Sequence, residues 1–335
     1  MGNVSISAGG GICVEYGPTK FLLDPRGRGD GDIVFVSHAH IDHMHRPSRG
    51  ESIMASRETR ELALERGYDL GATLEELEGV ELLDSGHILG SRAIRIADEF
   101  FYTGDASGRE RGFLGKCRTK RARVLITETT YGSPEYVFPP TARLVKEVNT
   151  LIGECFDKGR PVVLMGYPLG KAQLISYYFS SWEPLYFHEA VARMNEVYRR
   201  NGVKLKRGNV FNPEGQEPEG GLLRGPWVMV APLMSGRSRL MSRLRRDYGA
   251  VLVAFSGWAV KSGYSSSLSV DHAFPLSDHC DYRELLGLVQ AVSPETVYTT
   301  HGFAGEFARD LRRMGFSARS LNSYQSSLLD YFRAD

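Results

Sequence analysis

The first hundred or so positions alternate short apolar runs with Gly-rich turns. The runs Val4 to Ser7, Ile12 to Tyr16, Lys20 to Asp24 and Ile33 to Ser37 have the length and β-branched content of strands. Only Arg57 to Arg66 spaces its apolar residues at helical intervals, with Gly67 placed to stop it. Further strands are predicted at Val80 to Asp84, Ala93 to Ala97, Phe100 to Asp105 and Val124 to Thr130. The last of these carries Glu128 in a β-type run that begins Val124-Leu125-Ile126, an unexpected place for a carboxylate in a buried strand.

From Pro134 the pattern changes. A helical stretch from Thr141 to Asp157 precedes an uninterrupted apolar strand, Val162 to Met165, and a helix follows Leu169-Gly170-Lys171-Ala172-Gln173. Another helix is predicted at Glu189 to Arg200, then a Gly- and Pro-rich bend from Asn212 to Gly225. The strand Trp227 to Ala231, the basic helix Arg237 to Arg246 and the strand Val251 to Phe255 complete the series. Alternating strand and helix predicts a parallel α/β layer. We read residues 133–255 as an α/β domain inserted between the two parts, 1–132 and 256–335, of an α+β domain. In the final part, Asp281 followed three residues later by Glu284 forms a capping box that sets a helix start just after His279. A strand from Thr296 to Thr300 then delivers His301-Gly302, and a helix follows from Gly305 to Met314.

Composition narrows the class without naming a function. A chain of 335 residues that is 42% hydrophobic and 24% charged is that of a globular protein. Its net charge of +1 gives no global argument for an acidic or basic partner. Local charge is another matter, because Arg109 to Arg123 holds seven Lys or Arg against one Glu. The chain shows neither a leader-type apolar segment nor a run of membrane-spanning length, so a soluble cytoplasmic protein with no membrane partner is expected. Cys13, Cys117, Cys155 and Cys280 form no C-x-x-C pair, which argues against a disulfide framework and against thiolate-held zinc. No pattern in the sequence reports an oligomeric state.

The chemistry concentrates in Ile33 to His45, IVFVSHAHIDHMH, where His38, His40, Asp42 and His43 follow a strand end. His38 and His40, two residues apart, can point to one side, and imidazoles gather in this way when a cation holds them. His87, Asp105, His279 and His301 also stand at or near the ends of predicted strands.

H-x-H-x-D-H at 38–43, SGHILGS around His87, YTGD ending on Asp105 and Asp24 in FLLDP together resemble the successive motifs of the metallo-β-lactamase fold. TETTYG with Glu128, PLSDHCD with His279 and TTHGFAGEFA with His301 are similar to the later motifs of its β-CASP nuclease branch. LITETTYGSPEY, FSGWA and FPLSDHCDYRELL bring the resemblance closer to the short prokaryotic messenger RNA 3′-end processing factors and ligase-associated exonucleases. The resemblance implies an αββα sandwich with an inserted β-CASP domain, and a zinc-dependent hydrolase of phosphodiester bonds.

On that reading His38, His40 and His87 hold one Zn²⁺, while Asp42, His43 and His301 hold a second, with Asp105 bridging and Mn²⁺ as the alternative ion. A hydroxide shared by the two ions would attack phosphorus, leaving 5′-phosphate ends. His279 is the expected proton donor to the departing oxygen, oriented by Glu128, and Asp42 is counted with them in the catalytic set. Asp24 is expected to orient a ligand histidine. Lys171, Arg237 and Arg239 are candidate substrate contacts, although Gly170-Lys171-Ala172-Gln173 has Lys where the family pattern has Arg, so a point charge replaces a bidentate fork. The implied substrate is single-stranded RNA, processed or degraded from an end. Alternatives are a DNA exonuclease or repair nuclease, a hydrolase of small esters or lactams, and a non-catalytic nucleic-acid scaffold.

Overall fold

The computed structural model describes residues 4–8, 11–27, 29–48, 50–213, 222 and 224–321. Most of the bend expected between Asn212 and Gly225 lies outside these residues. The chain divides into two compact units, the first comprising Met1–Arg109, Lys116–Pro134 and His279–Asp335.

The first unit contains two six-stranded sheets. In one, the strands Val4–Ala8, Ile12–Tyr16 and Thr19–Leu23 form an antiparallel meander, continued in parallel by Ile33–Phe35, Ile53–Met54 and Thr73–Leu74. In the other, Ser317–Ser320, Thr296–Thr300, Val124–Glu128 and Phe100–Tyr102 are parallel, and Arg92–Ile96 and Val80–Asp84 extend them antiparallel. Alternate residues of both sheets meet in one core: Val14, Phe21, Leu23 and Phe35 from the first, Ile94, Phe100, Tyr102 and Ile126 from the second. Phe35 and Tyr102 make an edge-to-face contact there, with ring centroids 6.3 Å apart.

The opposite face of the second sheet is covered by the helices Tyr282–Val292 and Ala304–Arg313 through Leu285, Leu288, Val289, Val292, Phe307 and Leu311, which recur at helical spacing. The expected capping box forms: Asp281 accepts from the Glu284 amide at 2.9 Å, and Glu284 accepts from the Asp281 amide at 2.9 Å. The helix Arg57–Glu65 starts on Ser56, whose hydroxyl accepts from the Thr59 amide and donates to the Gly90 carbonyl. The mixed α+β class and the sandwich are thus as the motifs imply. Among the described residues, no helix is long and apolar enough to cross a membrane.

The second unit, Glu110–Gly115 with Glu135–Asp278, is built on an all-parallel sheet. Its strand order is Asn209–Phe211, Leu185–His188, Val228–Pro232, Val162–Gly166, Val251–Phe255 and His272–Phe274. The central strands are buried along their whole length because apolar clusters pack on both faces, which explains their continuous Val/Leu/Met runs. The unit extends past residue 255, the end expected from the sequence. His272–Phe274 pairs with Val253–Phe255, so a boundary at 255 would cut between two hydrogen-bonded strands. A loop lies between those strands, and its 3₁₀ turn and short helix mask the pairing from a reading along the chain.

Candidate metal centre

Every candidate ligand group of the first unit follows a strand at its C-terminal end, where a sheet leaves side chains unshared by neighbouring strands. Asp24 follows Thr19–Leu23, His38 and His40 follow Ile33–Phe35, and Asp42 and His43 lie in the 3₁₀ turn Ile41–His43. His87 comes after Val80–Asp84 and Asp105 after Phe100–Tyr102, while Glu128 ends its own strand and His301 follows Thr296–Thr300. Gly104 adopts φ +55°, and a Cβ there would lie 2.6 Å from the Ser37 Cβ. Only glycine lets the Asp105 loop approach the histidine loop this closely.

The geometry draws two groups toward Asp105. His38 Nε2 and His87 Nε2 each lie 3.0 Å from His40 Nδ1, and the same two nitrogens stand 3.4 and 3.6 Å from Asp105 Oδ2. His43 Nε2 reaches Asp105 Oδ2 at 3.3 Å and Asp42 Oδ2 at 3.7 Å. The His301 ring stacks at a tilt on His43, centroid to centroid 5.3 Å. All but Asp42, which is partly exposed, and His301 are buried.

This donor set fits a metal. Three imidazole nitrogens aimed at one another with a carboxylate oxygen can satisfy few mutual hydrogen bonds, whereas a shared cation at about 2.0–2.1 Å from each nitrogen resolves all of them. His38, His40, His87 and Asp105 offer ligand atoms that lie within 4.8 Å of one another. Imidazole and carboxylate without thiolate is a borderline-to-hard set, suited to Zn²⁺ or Mn²⁺. The acid–base balance separates the histidines. Burial, reinforced by neighbouring histidines, holds His38 well below the ordinary imidazole range, in the neutral form a ligand needs. For His43 burial opposes the cation, but Asp105, Asp42 and Asp24 outweigh it and push the ring well above that range. Burial likewise opposes ionisation of Asp105, yet His43 and His279 hold its carboxyl well below the usual carboxylate range.

Asp24 is the centre of a fan of hydrogen bonds. It accepts from the Ser37 amide at 2.7 Å, the Ser37 hydroxyl at 2.6 Å and the Tyr102 hydroxyl at 2.8 Å, and His43 Nδ1 lies 2.8 Å from Oδ2. These partners fix the direction of His43 Nε2 toward Asp105. The sequence marks Asp24 but not Ser37 or Tyr102, whose hydroxyl reaches Asp24 from 78 residues away along the chain.

A second pair lies beside the cluster. His279 Nδ1 is 2.9 Å from Glu128 Oε1, and its ring stands 4.5 Å from that of His87, centroid to centroid. Glu128 is itself held by the Ala106 and Thr130 amides at 3.1 and 3.0 Å. Thr129, which sequence reading did not single out, donates its hydroxyl to the carbonyls of His301 and Thr300 at 2.6 and 2.9 Å. It supports His301 in a left-handed conformation, φ +60°, that non-glycine residues rarely adopt. Of the small hydroxyl residues near the ligands, Ser91 accepts from the His87 and Ile88 amides and Thr103 from the Glu128 amide; Ser85 Oγ is buried without a hydrogen-bond partner.

The basic candidates fall differently. Lys171 is buried in the second unit with its ammonium on Asp278. Arg237 and Arg239 are exposed near the start of the helix Arg239–Tyr248. Much of the Arg109–Arg123 run is internally neutralised: Arg109 by Asp281 and Glu284, Lys120 by Glu81, Arg123 by Glu99 and Glu295. Arg118 and Arg121 are exposed.

Residues 272–320 match the family model described as "Zn-dependent metallo-hydrolase RNA specificity domain". Over 301 residues, 85% of the chain, the sequence is 36% identical to a probable DNA ligase of Opitutus terrae, covering 28% of that protein. It is 27% identical over 234 residues to an RNase J-like protein of Methanocaldococcus jannaschii, covering 55% of each. The chain thus spans well under two thirds of these relatives. A crystal structure of a protein of unknown function from Enterococcus faecalis V583 shares the fold, with a TM-score of 0.63, 14% identity and coverage of 97% of this chain and 99% of that one.

Proposed function

We propose that this chain, which belongs to the β-CASP nuclease family of the metallo-β-lactamase fold, hydrolyses phosphodiester bonds of single-stranded RNA with two bound zinc ions, leaving 5′-phosphate ends. The observation that carries the reading is the approach of His38, His87 and His43 to the single oxygen Asp105 Oδ2, within 3.3–3.6 Å. One ion would be held by His38, His40 and His87, the other by Asp42, His43 and His301, with Asp105 common to both. Bound there, the ions would acidify a water and offset charge on the phosphoryl oxygens.

The remaining work falls to the protein's own groups. Glu128, fixed by two backbone amides, takes one nitrogen of His279, and the ring is proposed to hand a proton to the departing sugar oxygen. Arg237 and Arg239, exposed near one helix start, are proposed to take backbone phosphates, which makes binding weaken with salt. Lys171, closed onto Asp278, is the weakest of the three substrate candidates. A cytoplasmic setting suits four free cysteines.

RNA is favoured by the matched domain description and by the name of the archaeal relative. The DNA reading, end trimming by the same chemistry, is favoured by the 36% identity to a protein named probable DNA ligase. The deciding experiment incubates labelled single-stranded RNA and DNA, each with a 5′-phosphate, 5′-hydroxyl or blocked end, with Zn²⁺ or Mn²⁺. Preferential loss of RNA supports the main reading; loss of DNA alone replaces it with the second. Intact strands of both kinds with zinc-loaded protein would overturn both. His279→Ala is expected to keep its zinc and lose about 10²–10⁴ in turnover; an unchanged rate removes His279 as the acid.

A further inference from the structure

Arg109 begins the basic run, yet its guanidinium is not turned to solvent. Nη2 donates to Asp281 Oδ2 at 2.6 Å and Nε donates to Glu284 Oε1 at 2.5 Å, with the side chain 22% exposed. Those two carboxylates are the capping box that starts the helix Tyr282–Val292. His279 stands two residues before the cap. The intervening Cys280 is buried, and its amide donates to the Ala106 carbonyl at 2.7 Å. Ala106 in turn donates its own amide to Glu128 Oε1, the oxygen that faces His279 Nδ1. Gly108 packs so closely that a Cβ there would lie 2.8 Å from the Glu284 Cβ. The segment from Asp105 to Arg109 therefore touches the cluster at one end, the Glu128–His279 pair in its middle and the helix start at its far end.

Two like charges at a helix start are favoured by the helix dipole but repel each other. A planar guanidinium that reaches both with separate N–H groups holds them in one arrangement, which a flexible ammonium does less well. We propose that Arg109 is a positioning residue for proton donation: by clamping Asp281 and Glu284 to the Asp105 loop it fixes where His279 stands relative to the reacting phosphodiester. The proposal rests on the reading of His279 as the proton donor. Its consequence is that Arg109 controls the step in which the leaving oxygen needs a proton and has no direct part in binding nucleic acid.

The test uses the full chain loaded with zinc and two substrates, a single-stranded oligonucleotide whose alkoxide leaving group needs a proton, and bis(p-nitrophenyl) phosphate, whose leaving group does not. Arg109→Ala is expected to lower kcat on the oligonucleotide by about tenfold or more, as small displacements of catalytic groups do. KM should stay within about twofold, and the loss on the activated diester should be under about threefold. Arg109→Lys should recover part of the oligonucleotide rate, and Arg109→Ala combined with His279→Ala should be no slower than His279→Ala alone. Where Arg109→Ala folds poorly, Glu284→Gln removes one arm of the clamp and should give a smaller loss of the same pattern. Equal losses on both substrates, a change confined to KM, or additive losses in the double variant would overturn the proposal. If His279→Ala itself cleaves the oligonucleotide at full rate, the underlying acid assignment falls, and the clamp proposal falls with it for that separate reason.

Discussion

The two units bury charge in opposite ways. In the second, Lys171 meets Asp278, and Gln173, Asn195 and Ser176 hydrogen-bond one another, so each buried polar group there that we describe is answered by another. In the first, nitrogens of His38, His40, His87 and His43 converge with Asp105 on one small volume. A closed pair needs nothing from outside, whereas converging donors need a cation. The difference teaches that density of titratable residues is not by itself the sign of a site; direction is.

The comparison can be broken at three points. Removing the shared carboxylate with Asp105→Ala should have the largest effect, a loss of about 10³ or more in turnover as several kcal/mol of charge stabilisation disappears. Native mass spectrometry should find at least one zinc fewer, and a fully loaded variant would show that Asp105 is no ligand. Lys171→Met takes the ammonium away from the buried carboxylate of Asp278, which should cost about 3–5 kcal/mol of stability in urea unfolding. Should stability hold while oligonucleotide affinity falls, Lys171 serves substrate and the pair is not closed. Asp24→Asn keeps the shape but weakens the hold on His43, and should lower zinc affinity by about 10- to 100-fold in a chelator competition. Unchanged affinity would mean that Ser37 and Tyr102 suffice to place the loop.

What could be read from the chain follows from how local each signal is. His38, His40, Asp42 and His43 announce themselves within six residues, and the Asp281–Glu284 box is a pattern of four consecutive residues. The end of the second unit was not legible, because the pairing of His272–Phe274 with Val253–Phe255 spans a loop with its own short turns. Arg109 and Lys171 look like surface cations in sequence. Their partners, Asp281, Glu284 and Asp278, are more than a hundred residues away, so only the fold reveals that their charge is spent. Tyr102 was hidden for a similar reason: its hydroxyl finds Asp24 across a sequence separation of 78 residues.

The late position of His301 in the chain bears on synthesis. His301 follows the strand Thr296–Thr300, which must insert beside Val124–Glu128 before Thr129 can hold it. A nascent chain that has emerged only through its first half carries His38, His40, His87 and Asp105, but neither His279 nor His301. Such a chain lacks the groups proposed for proton donation and for completing the second ligand set. On the proposed function, a chain truncated before residue 279 lacks both groups and is expected to leave nucleic acid intact, which a cleavage assay of that truncation checks.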